Sequence, residues 1–527
     1  MHILARRHLR DHQNGRLSRR EFLTRVTALG VSAPLAYGML GGGPVAAQDT
    51  PVAGGTLRMQ MPTLALCDPR LADWPEIGNM LRGWLEPLVT YNADGTFTGH
   101  LLERWEMSDD GLQLRLHLRP GILWQNGEPM VAEHVAHNLR RWCEPVPRNG
   151  LAAVMQAVAQ GQIEVVDDRT LDLTLGFPDA TLIASMSDYN ALIVHPSYDG
   201  ADPSVNPLGS GPYLPVLNEV GKMQSLEKVT WWGTPVFGGP WLDRIDYVDL
   251  GTAPMRALEA AQAGLIDAVD QTVADNIGAF EDLGWVASQA ESSATLAIRF
   301  QQQDPTFADR RVRQALQLAV DNAVVLDIGV NGRGIRGENH HVSPLQPDYA
   351  RVDPPVTDIP AAQALLAEAG FAEHTFTLTS LDDTWQALSC DAVAAQLNDA
   401  GISVQRQILP GVEYWANWRS YGFSGTYWNM RPLGVQVLRL AYRSGSAWNE
   451  TGFSNPDFDK AVDRALGIAD ATARQKVMAG LETILRKEAV LIQPFWRTLT
   501  RHATPRLRGA AILPTLVHRH HEWWLAP

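Results

Sequence analysis

The sequence predicts an α/β protein of at least two lobes, on three observations. Leu112, Leu114, Leu116 and Leu118 alternate with polar neighbours, as do Leu171, Leu173 and Leu175, which is the two-residue period of half-buried strands. Val312, Ala315, Leu316, Ala319, Val320 and Ala323 recur at three- and four-residue spacing instead, giving one helical stripe with an Arg-rich wet face. The segment Trp385–Ala400, stopped by Gly401 and followed by the run Ile402–Leu409, reads as a helix and then a strand, the unit of a layered α/β fold.

Taken in order, the chain opens with residues 1–47, which read as an export signal lying outside the fold. A basic stretch precedes a mild apolar run from Val26 to Leu40, and Val45-Ala46-Ala47 offers small residues for cleavage before Gln48. Ser18-Arg19-Arg20-Glu21-Phe22-Leu23-Thr24 resembles the twin-arginine export motif, with Thr at the position where Lys is frequent. The apolar run holds Gly30, Ser32, Pro34 and Gly38 and is too weak for a permanent span. Strands follow around 112–118 and 171–175, and Pro/Gly-rich joints fall near 202–212 and 232–241. A helix from Pro360 to Ala369 is opened by Asp358 and closed by Gly370, and further helices are expected over Asp457–Leu466 and Ala471–Lys487.

The 527 residues are 45% hydrophobic and 19% charged, enough for a sizeable core and, at ~150 residues per domain, roughly three domain-sized units. Residues 1–47 hold 7 of the 44 basic and 2 of the 58 acidic residues, so the remainder carries 37 against 56, a formal −19. A body so acidic repels phosphate backbones and anionic bilayers, which argues against nucleic-acid or membrane-surface binding. Cys67, Cys143 and Cys390 allow at most one disulfide, and three buried thiols are expected.

Several segments together resemble the large extracytoplasmic solute-binding proteins, family 5, which serve peptide, opine and nickel ABC importers. They are GGTLRM at Gly54–Met59, the run Leu101–Trp142, PLGSGPY at Pro207–Tyr213, WLDRIDYVDL at Trp241–Leu250, AGLIDAV at Ala263–Val269, FADRRVRQALQLAVD at Phe307–Asp321, ALLAEAGF at Ala364–Phe371 and SNPDFD at Ser454–Asp459. The resemblance implies a two-lobed periplasmic binding protein fold of the large, peptide-binding-protein-like type, with an extra subdomain in the first lobe. By that analogy residues 48–290 form the first lobe with its insertion at about 92–206, residues 291–490 the second, and 491–527 return to the first. It also implies a monomer, soluble in the periplasm after signal cleavage, that needs no cofactor and works with ABC permease subunits; the Ser18–Thr24 motif adds the twin-arginine export machinery as a partner.

A binding protein offsets the ordering of its ligand with a dry cleft holding a few directed polar groups. Three segments fit that need. Tyr427-Trp428-Asn429-Met430-Arg431-Pro432 lies where peptide-binding relatives often carry an Asp that pairs with the peptide's amino terminus; none stands here, which argues against ordinary peptides. Arg443-Ser444-Gly445-Ser446-Ala447-Trp448-Asn449 offers a guanidinium fork for a carboxylate and an indole face for stacking. Asn339-His340-His341 offers imidazoles to a carboxylate or hydroxyl. Arg299 and Gln301, on a strand that resembles the first crossing between lobes, complete the set. The competing roles are a surface Arg–Asp pair for either Arg and loop capping for the histidines.

The expected function is therefore capture and delivery of a small carboxylated solute, amino-acid-like, opine-like or a modified peptide. The rival is a nickel-like metal or metal chelate, prompted by His518-Arg519-His520-His521-Glu522, although a solvated tail is the expected state of that cluster and no metal site is assigned. A hydrolase finds no support: His521-Glu522-Trp523-Trp524-Leu525 fails HExxH at its last position, and GxSxG and the P-loop pattern are missing. No catalytic residue is assigned, and the chain is expected not to be an enzyme.

Overall fold

The structure, a computed structural model, describes residues 2–40, 50–232, 237–353 and 355–527, Val412 without its side chain. The expected cleavage site after Ala47 lies outside the described residues. A 12-stranded sheet runs through both lobes of a two-lobed α/β molecule. At one end Tyr213–Glu219, Met223–Lys228, Arg244–Val248, Thr56–Gln60 and Ala268–Val269 are neighbours; at the other, Phe423–Trp428, Phe376–Leu381 and Val404–Leu409. Two long strands join these ends. Val286–Phe300 pairs antiparallel with Phe495–Ala503 over Val286–Glu291, shifts register, and then pairs with Phe423–Trp428 over Thr295–Phe300. The division assigned between residues 290 and 291 thus falls inside one continuous strand.

The alternating leucines build a separate four-stranded sheet, Leu102–Met107, Gln113–Leu118, Thr170–Thr174 and Gln162–Asp167, with Leu114, Leu116, Leu171 and Leu173 buried on one face. Its polar positions exchange cross-strand pairs such as Arg115 with Asp172 at 2.6 Å. In the second lobe, Asp358 accepts from Ala361 N and Gly370 ends the helix Ile359–Ala369 at φ +80°, a left-handed position that suits glycine. The expected helix–strand unit is Thr384–Asp399 followed by Val404–Leu409, which pairs parallel with Phe376–Leu381.

Three expectations need correction. The stripe from Val312 to Ala323 is split between Arg310–Leu318 and Asn322–Val330, because Asp321 leaves the helix to cap the second one through Ala323 N. Cys390 is buried, whereas Cys67 and Cys143 are only half-buried; all three are free thiols, held by burial at about 12, 11 and 11. The largest difference is at the N-terminus. Residues expected to lie outside the fold form the helices Ile3–Gln13, Arg19–Ala28 and Ala33–Met39, with a shared core of Ala5, Phe22, Leu23, Val26, Val31 and Ala36 packed on the body. Ser18 and Glu21 close a capping box on the middle helix. Among the described residues, no helix is long and apolar enough to cross a membrane.

Candidate ligand-binding cleft

Where the lobes meet, Asp73, Trp74 and Tyr189 of the first face Trp418, Thr426–Asn429, Arg431 and Trp448 of the second across a cavity of about 30 Å³. That space admits roughly two waters and no solute, so a solute enters it only when the lobes part or the walls move. Its walls are aromatic. Trp74 stacks at a tilt on Trp415, 4.1 Å between centroids, and lies 5.2 Å from Tyr427, which meets Trp415 edge-on at 5.5 Å. Trp385 continues the wall 6.4 Å from Tyr427, and the Arg497 guanidinium stacks over Trp385 at 4.3 Å.

The arrangement follows from local chain geometry. Trp74 precedes the helix Pro75–Leu81, whose Pro75 fixes the first turn and puts Glu76 at its second position. Trp385 sits in the first turn of Thr384–Asp399, whose N-cap Asp383 accepts from Gln386 N at 3.0 Å and Gln386 Nε2 at 2.6 Å. Arg497 rides the joining strand Phe495–Ala503, which brings it to the junction of the lobes. Trp74 and Tyr427 line the cavity, and Trp385, Trp415 and Arg497 extend the cluster beyond its lining; all five are half-buried.

Two charged groups in this region are incompletely paired. Arg497 Nη2 donates to Gln271 Oε1 at 2.6 Å, its Nε is buried without a partner, and it forms no ion pair among the described residues. Burial pushes its pKa down to about 10, partly offset by the charges of Asp383, Tyr427 and Glu76. Glu76 Oε2 is likewise buried and partnerless, and burial raises this carboxyl to about 7. Such a carboxyl contributes stability that is present below its unfolded value of 4.5 and lost as pH rises through about 7. Glu76→Gln is therefore expected to match the wild type near pH 4.5 and to exceed it in stability well above pH 7. The gap is bounded by about 1.4 kcal/mol per unit of pKa displacement. Urea midpoints at the two pH values check this, and an equal shift at both contradicts it.

The residues singled out from sequence are distributed unevenly. Trp428, Asn429, Arg431 and Trp448 line the cavity together. Arg431 is already engaged: its Nε lies 2.7 Å from Asp188 Oδ2 across the lobes, and its guanidinium covers Tyr189 and Trp448. Arg443 lies outside this cavity, beside a separate groove of about 370 Å³, in a surface pair with Asp463 at 3.1 Å. Asn449 caps its own loop through Arg443 O and Phe453 O. Arg299 is fully buried against Glu450 at 3.1 Å and the carbonyls of Trp418 and Tyr421, and Gln301 donates to the carbonyls of Arg419 and Glu450. Asn339, at φ +57°, accepts from Asn322 and Gln493 N. His340 bonds Glu338 at 2.8 Å. His341 bonds the Tyr442 hydroxyl at 2.9 Å and meets Trp428 edge-on, so it supports the wall from behind.

The C-terminal cluster is no solvated tail. His518 and His520 flank the Tyr247 hydroxyl at 2.7 and 2.6 Å, and His518 Nε2 meets Asp270 at 2.7 Å beside Arg501. Burial drives His518 down to about 4 despite Asp270. Among the described residues, no group of three or more His, Cys, Asp or Glu is arranged to hold a metal ion. Sequence reasoning missed Trp74, Glu76, Trp385, Trp415 and Arg497. Trp-Pro-Glu ahead of an apolar run and Asp-Asp-Thr-Trp at a helix start were the available signals.

Two lobes joined by paired strands, with an aromatic cleft between them, are the architecture of a binding protein. Comparison with known proteins gives the family. Residues 96–450 match the bacterial extracellular solute-binding proteins, family 5. The chain is 25% identical over 456 residues to heme-binding protein A of Haemophilus influenzae, covering 78% of this chain and 80% of that one. It is 24% identical over 495 residues to the glutathione-binding protein GsiB of Pectobacterium atrosepticum, covering 89% and 92%. Among solved structures, the murein tripeptide binding protein MppA of Escherichia coli superposes with a TM-score of 0.81 at 20% identity, over 90% of this chain and 98% of that one. The chain belongs to family 5 of the extracellular solute-binding proteins, the binding components of ABC importers.

Proposed function

We propose that this protein captures a small carboxylated solute in the periplasm, amino-acid-like, opine-like or a modified peptide, and hands it unaltered to the permease of an ABC importer. One observation carries the reading: Arg497 lies at the junction of the lobes, stacked on an indole, with a buried Nε that has no partner and no carboxylate paired to it among the described residues. A guanidinium fork matches a carboxylate in shape and charge. Arg497 replaces Arg431 and Arg443 in that role, because Asp188 and Asp463 occupy those two. Glu76 supplies, from the first lobe, an acceptor for an amino or amide group of the same solute, which the second-lobe stretch Tyr427–Pro432 lacks. Trp428, Asn429 and Trp448 shape the wall. The relatives named for glutathione and murein tripeptide are named for modified peptides, in keeping with this class.

The chain acts as a monomer without catalysis, and reaches the periplasm by the twin-arginine route. Calorimetry with glutathione, opines and N-substituted amino acids checks the assignment: at least one binds one-to-one and raises the melting temperature, by about 2.7 kcal/mol of stabilisation at 100 times its Kd. Binding confined to uncarboxylated solutes, or release of a chemically altered product, overturns it.

A further inference from the structure

The N-terminal helices touch both lobes at once. On the first-lobe side, Thr27 Oγ1 accepts from Phe97 N at 2.9 Å, Trp105 Nε1 donates to Ala28 O at 3.3 Å, and Tyr37 bonds Asp94. Gly30, at φ +88°, lies so close to Trp105 O that a Cβ would sit 2.5 Å from it, so this approach admits only glycine. On the second-lobe side, the buried Arg25 donates from Nη2 to Pro347 O at 2.7 Å and from Nη1 to Thr472 Oγ1 at 2.8 Å. Arg7 pairs with Asp470 at 2.7 Å. The acceptors are rigidly held: Asp348, next to Pro347, takes Gly434 N, Val435 N and Arg474, while Asp470 caps the helix Ala471–Lys487.

From this we infer that residues 2–40 form a clasp that holds the two lobes shut while they remain attached. A single helix, Arg19–Ala28, carries both Thr27 and Arg25, so it keeps both sets of partners only at one interlobe distance. Opening strips either Phe97 and Trp105 or Pro347 and Thr472 of their bonds. On the second-lobe side it also returns a buried guanidinium to solvent and breaks the Arg7–Asp470 pair. The segment that resembles a twin-arginine signal supplies the clasp's core through Phe22 and Leu23.

The test uses the full chain and substitutions far from the cleft. Arg7→Ala with Arg25→Ala removes the second-lobe contacts alone, and Thr27→Val with Trp105→Phe and Tyr37→Phe removes the Phe97, Ala28 and Asp94 hydrogen bonds on the first-lobe side. Each set is expected to raise the radius of gyration in solution scattering and to speed amide exchange across the cleft strand Phe423–Trp428 by roughly tenfold or more. A segment that merely rests on the surface frays by itself. Faster exchange confined to residues 2–40, with an unchanged radius of gyration and an unchanged cleft strand, overturns the proposal.

Discussion

Arg497→Ala is expected to abolish tight capture of the cargo. Truncating one partner of a buried, hydrogen-bonded charge pair costs about 2–5 kcal/mol, which is roughly a 30-fold loss of affinity or more. The guanidinium here is held by Gln271 and Trp385 rather than by a counter-ion among the described residues, and the proposed function makes the carboxylate of the guest its partner. Arg497→Lys keeps the charge but loses the fork and the stacked plane, and falls between. The variant is expected to fold, because Arg497 belongs to no ion pair among the described residues and desolvation already weighs against its charge. Calorimetry with the solute that co-purifies with the wild type measures the effect, and an affinity within about threefold of wild type contradicts the assigned role.

Glu450→Ala is expected to cost about 3–5 kcal/mol of stability, the range for breaking a buried ion pair by removing one partner. Glu450 Oε2 faces Arg299 Nε at 3.1 Å and Oε1 accepts from Trp428 Nε1 at 2.7 Å, with Arg299 fully buried. Alanine strands the guanidinium and frees the indole that walls the cavity, so cargo affinity falls with stability. Replacing both members, Arg299→Met with Glu450→Leu, removes the stranded charge and recovers most of the loss. Urea midpoints of the three proteins check this, and a double variant less stable than Glu450→Ala contradicts it.

Elements stopped by their own residues were legible in the sequence. Asp358, Pro360 and Gly370 bound one helix, and the helix and strand on either side of Gly401 needed no distant information. Asp321 was an equally local signal that the apolar stripe from Val312 hides, since the stripe stays buried through Ala319 and Val320 up to the break. The cleft was less legible because pairing is decided by distant residues. Arg431, Arg443 and Arg497 are the same residue type beside tryptophans, and only the positions of Asp188 and Asp463 show which are taken. The folding of residues 2–40 was hidden for the same reason, as Phe97, Trp105, Pro347 and Thr472 lie far along the chain.

Native mass spectrometry of the chain freed of residues 1–47 tests the central claim most directly. One solute per chain is expected to fly with the wild type, to dissociate chemically unchanged, to carry a carboxyl group, and to be missing from Arg497→Ala. A wild-type chain that retains no small molecule from any carboxylated mixture, or that returns the molecule cleaved or modified, contradicts the account.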